Sequence, residues 1–76
     1  MAKIKEFIKG TGKVSSRISE VDCVYNVGYV NDEKYVTLST FGSAERKNSG
    51  SASQVLHIDK ECAKNMVDLL TREFDL

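Results

Sequence analysis

Few side chains in this sequence are of types that do covalent chemistry. His57 is the one histidine, and Asp59 follows it two residues later. A general base needs a nucleophile within hydrogen-bond reach and a third group to orient it. Serines and threonines are plentiful, but Asp59 is better employed capping the helix that starts beside it. His57 therefore reads as a sheet-surface residue. Cys23 and Cys62 are too few and too isolated for a disulfide framework, and with His57 they lack the spacing of a zinc site. Both read as small buried hydrophobes. The stretch "KGTGK" (9–13) resembles a phosphate loop only superficially. A true one needs glycine where Phe7 stands and Ser or Thr where Val14 stands. The chain is expected to be non-catalytic and to need no cofactor or metal.

The residues that remain are suited to binding. Tyr35 and Phe41 supply rings on which bases can stack. Arg46 and Lys47 lie in a Gly/Ser-rich stretch, 42–53, that is long for so short a chain. There they can meet phosphate, or be merely solvated charges on a connection between strands. Lys9, Lys13 and Arg17 belong to a basic N-terminal arm. Residues 1–19 carry five cations against Glu6, a balance of +4, whereas residues 20–44 hold four carboxylates against Lys34, a balance of −3. The arm suits a phosphate backbone, or a lysine-protected sheet edge. The net charge of zero argues mildly against a nucleic-acid partner.

The elements that must position these residues are legible. From Val21 to Val30 the pattern alternates, with Val21, Cys23, Tyr25, Val27 and Tyr29 on one face and Asp22, Val24, Asn26, Gly28 and Val30 on the other. Asn31, Asp32 and Glu33 supply turn chemistry. "KYVTLSTF" (34–41) resumes the alternation, with Val36 and Leu38 facing the core and Tyr35, Thr37, Ser39 and Phe41 opposite. "QVLHI" (54–58) is a further strand, with Leu56 and Ile58 inward and Val55 and His57 outward. Asp59 then caps a helix over 59–74, Ile58 stapling onto Ala63. Its apolar stripe is Cys62, Ala63, Met66, Val67, Leu70 and Phe74. The first twenty residues are read as a basic arm or one or two bent edge strands around Val14, Ile18 and the glycines.

The expected fold is therefore α+β: an antiparallel sheet of four or five strands with one C-terminal helix packed on one face. The 76 residues make a single domain: 1–20 as arm or edge, 21–58 as sheet, 59–74 as helix. So small a chain buries only about 60–65% of its extended surface. A homodimer covering leftover apolar surface is a natural remedy. The aromatic and polar face opposite the helix is open for a ligand, or covered by the N-terminal segment or a second subunit. No apolar run approaches the roughly 20 residues of a membrane span, and the N-terminus lacks an apolar signal core, so a cytoplasmic address without membrane contact is expected.

The stretch from Tyr35 to Leu70, with "YVTL", Phe41, a long loop containing Gly50, "VLHID" and a helix anchored by Met66 and Leu70, resembles the positive-cofactor-four family of single-stranded-DNA-binding transcriptional coactivators. That resemblance implies a dimer whose curved sheet grips single strands through aromatic and basic residues. Here Tyr35, Phe41, Arg46 and Lys47 would do that work. The chain departs from the family at Gly42, where a bulky aromatic is usual, at Ser39, and at Ser51, Ala52, Ser53 and Gln54, where basic residues are usual. Two functions stay open: a nucleic-acid-binding module preferring single strands, or a protein-interaction module with no nucleic-acid binding.

Overall fold

A computed structural model gives the fold and describes residues 1–41 and 52–76. Its elements are β1 (Ala2–Lys3), β2 (Cys23–Val30), β3 (Glu33–Thr40), β4 (Gln54–Ile58) and the helix α1 (Lys60–Phe74). The four strands form one sheet in the order β1-β4-β3-β2, and α1 packs against it.

The β2–β3 hairpin turns through two residues, Asn31 and Asp32, both at positive φ (51° and 68°). A tight turn of this kind needs left-handed backbone at both positions, which Asn and Asp adopt more readily than other side-chain-bearing residues. It sets an unbroken antiparallel register from Cys23 opposite Thr40 to Val30 opposite Glu33. β4 pairs antiparallel with β3, placing Ile58 opposite Val36 and Leu56 opposite Leu38. Cross-strand partners point to the same side. One face therefore collects Tyr25, Val27, Val36, Leu38, Leu56 and Ile58, and the other Asn26, Tyr35, Thr37 and His57, as the alternation requires.

Three expectations are corrected. The sheet is mixed, because β1 runs parallel to β4, with Ala2 opposite Leu56 and Lys3 opposite His57. The N-terminal region supplies only that two-residue strand. Ile8, Val14 and Ile18 are exposed, so the segment forms no ribbon over the sheet. Cys23 is exposed while Cys62 is buried, because Cys23 begins the outermost strand and Cys62 sits in the first turn of α1.

The helix starts where the sequence places it. The Asp59 carboxylate accepts from the Cys62 N–H at 2.9 Å, and its carbonyl accepts the first helical bond from Ala63. No glycine ends the helix. Asp75 takes the left-handed conformation instead (φ 55°, ψ 45°) and donates its N–H to the Thr71 carbonyl. The side of α1 with the least exposure runs through Cys62, Ala63, Met66 and Leu69, whereas Val67, Leu70 and Phe74 are exposed. The buried stripe is thus rotated from the expected one.

Among the described residues, Ile58 (7% exposed) and Cys62 (3%) are the buried apolar pair at the sheet–helix junction. Truncating Ile58 to alanine is expected to cost about 2–4 kcal/mol of unfolding free energy, measured by urea titration. Ile18→Ser, on a side chain already 76% exposed, should stay within about 0.5 kcal/mol of the parent.

Candidate binding face

The polar sheet face gathers a connected group of side chains at its β1–β4–β3 end. The parallel pairing of β1 with β4 sets Lys3 beside His57, and the β3–β4 register sets His57 opposite Thr37. The Lys3 ammonium reaches Asp59 Oδ2 at 3.1 Å and stands 5.7 Å from the centre of the Tyr35 ring. Tyr35 meets His57 edge to face, with ring centroids 6.4 Å apart and planes at 84°. Its hydroxyl donates to Glu33 Oε2 at 3.2 Å. Thr37 Oγ1 and His57 Nδ1 share a 3.0 Å hydrogen bond, whose donor depends on the imidazole tautomer.

Two ionisable groups are tuned by this arrangement. Asp59 is held below the ordinary carboxylate value, first by the Cys62 N–H and then by Lys3. Lys3 is raised above its ordinary value, chiefly by the hydrogen bond to Asp59, with Tyr35 adding to the effect. Burial, aided by the Asp59 charge, pushes the Cys62 thiol up and makes it a poor nucleophile. The Asp59 carboxylate is thus engaged by the helix and by Lys3. Among the described residues no group of three or more His, Cys, Asp and Glu side chains is placed to hold a metal ion.

The residues expected to bind nucleic acid are dispersed. Tyr35 lies inside the polar group. Phe41, half-buried, follows the end of β3, six residues on and therefore about 20 Å away along an extended chain. Lys9 lines a groove of about 600 Å³ between the N-terminal segment and α1, in company with Glu6, Asp68, Arg72 and Glu73. Lys13 and Arg17 are exposed in the segment between β1 and β2, where the Arg17 N–H donates to Ser15 Oγ at 3.0 Å. Arg46 and Lys47 lie outside the described residues. Two members of the polar group, Lys3 and Glu33, are not evident from the sequence reading. The alternation of Ala2 and Ile4 against Lys3 and Lys5 is the signal that Lys3 belongs to a strand's outer face.

As an arrangement for chemistry, the face offers two ring edges, a hydroxyl, an amide side chain in Asn26, one ammonium already matched by the Asp59 carboxylate, and a second carboxylate in Glu33. That suits non-covalent recognition. Compared with family models, with curated proteins and with solved structures, the chain matches none.

Two of the three shifted groups, Asp59 and Lys3, set the pH dependence that their ion pair contributes to stability. Asp59 has a lowered folded-state pKa, so its contribution is present above the unfolded value near 3.8 and is lost as pH falls through the folded value. Lys3 has a raised one, so its contribution is present below the ordinary 10.5 and is lost as pH climbs through the folded value above it. Asp59→Asn keeps a capping oxygen but removes the charge. Its urea midpoint, followed against pH, should decline less than the parent's at both the acid and the alkaline end.

Proposed function

We propose that this chain is a non-catalytic binding module whose polar sheet face takes single-stranded nucleic acid. The observation that supports this most is the pairing of the half-buried Tyr35 and His57 rings on the polar sheet face, with Lys3 over Tyr35. Rings at a solvent-facing sheet surface stack on bases irrespective of sequence. Asn26 and Thr37, opposite each other across β2 and β3, add hydrogen-bonding groups beside them. β1 continues into the basic arm, in which Lys13 and Arg17 are exposed and Lys9 lies in the groove beside α1, so a nucleic-acid strand held on the polar face would have to pass the β1 edge to reach them. The resemblance of residues 35–70 to single-stranded-DNA-binding coactivators points the same way.

Because Lys3 is matched by Asp59, the phosphate contacts fall to the arm and to Arg46 and Lys47. Five such contacts correspond to a slope of about −3.5 in log affinity against log salt for a single strand, or roughly a hundredfold weakening from 50 to 200 mM. A protein-interaction role without nucleic acid is the second reading. It is favoured by Tyr25, Val27 and Tyr29, which form an open apolar row on the opposite face.

Fluorescence anisotropy of a labelled single strand, beside a duplex of equal length, separates the two. The first reading expects preference for the single strand, roughly tenfold weaker binding for Tyr35→Ala, and a salt slope shallower by about 2 for the triple variant K9A/K13A/R17A. Absence of binding at 20 mM salt would rule it out and leave the protein-interaction reading.

A further inference from the structure

A large apolar surface of this chain lies on β2. Tyr25, Val27 and Tyr29 share one face of the strand and are 69%, 53% and 70% exposed, while Val24 and Val30 on the other face are 38% and 59% exposed. β2 is also the last strand in the sheet order, so its outer backbone edge faces away from β3. Its eight residues, CVYNVGYV, include no charge and no proline. Proteins ordinarily guard such an edge with lysine, proline, a bulge or a very short strand. None of these devices is present in β2, which pairs with β3 without a break over its whole length.

The area of the chain gives a measure of what is missing. It presents 6896 Å² to solvent, whereas a compact monomer of 8.5 kDa presents about 4,700 Å². Its radius of gyration is 14.4 Å, against about 11.4 Å for a compact domain of this length. That area is the whole chain's and not that of the described residues alone, and the arm between β1 and β2 accounts for part of the excess of about 2,200 Å². The roughly 800 Å² per partner that a stable interface needs fits well within it. A net charge of zero also removes the long-range repulsion that would hold identical copies apart.

We infer that β2 is a self-association edge, at which two copies of this chain pair antiparallel, β2 to β2, about a twofold axis normal to the sheet. Two four-stranded sheets then become one of eight. The interface is isologous, so each Tyr25, Val27 and Tyr29 row meets its own copy across the seam. The axis keeps like faces on the same side, so the two polar faces join into one longer surface. The inference stands without the nucleic-acid reading, because Lys3, Tyr35 and His57 lie on the opposite face.

Sedimentation equilibrium of the whole chain from 1 to 100 µM tests it, with circular dichroism as a check on folding. The expected result is a species of twice the 8.5 kDa chain mass, with dimerisation at least tenfold weaker in Val27→Lys and unchanged in Ile18→Lys. A folded monomer throughout the range, growth beyond the dimer, or a dimer indifferent to Val27→Lys would overturn the proposal. Should Val27→Lys not fold, hydrogen exchange of the parent chain decides: amides of residues 23–30 should slow as concentration rises, and exchange independent of concentration would overturn it.

Discussion

The governing constraint on this molecule is how little apolar surface one copy encloses. Ile58 and Cys62 are its buried apolar residues among those described. Full burial of an aliphatic side chain stabilises a fold by about 1.5–3 kcal/mol, while ordering each backbone residue costs about 1–2 kcal/mol. Two such residues leave a chain of this length heavily dependent on partial burial, backbone pairing and helix capping. The gradient of exposure follows from this. β3 and β4 lie centrally, or beside α1, and hold the half-buried residues, whereas β2 keeps its apolar row in the open.

Within that constraint Asp59 joins three elements. One of its oxygens accepts the Cys62 N–H that begins α1, and the other takes the Lys3 ammonium that ties down β1. Lys3 in turn stands over Tyr35, and Tyr35 against His57. The same carboxylate that fixes the angle between β4 and the helix therefore organises the polar face, and buried Ile58 directly precedes it. Support and recognition are coupled through adjacent residues of one short segment. That segment also matches the ammonium closest to the rings before any ligand arrives, and Glu33 leaves the group with one further carboxylate.

Local periodicity carried most of the fold into view. The alternation through 21–41, Asn31 and Asp32 at the turn, the strand 54–58 and the cap at Asp59 are short-range signals, and the register places their residues on the expected faces. What escaped was long-range. The parallel contact between Ala2–Lys3 and Leu56–His57 joins the two ends of the chain, and a two-residue strand is too short to show a period. The helix stripe was displaced because Leu69, not Val67 or Leu70, lies toward the less exposed side, and the pattern of apolar residues on α1 is wide enough to admit either rotation. Of the candidate site, Tyr35, Thr37 and His57 were legible as one face. Lys3 and Glu33 were not, since their places depend on β1 pairing and on the Tyr35 hydroxyl. Arg46 and Lys47 fall outside the described residues.

The most direct test of the central constraint is the urea midpoint of the intact chain measured at 1 and at 100 µM. If one copy encloses too little core and pairing along the β2 edge with a second makes up for it, unfolding releases two chains. The midpoint should then rise by roughly 1 M urea over that hundredfold range. A midpoint independent of concentration would show that a single copy carries its own stability, and would contradict the account.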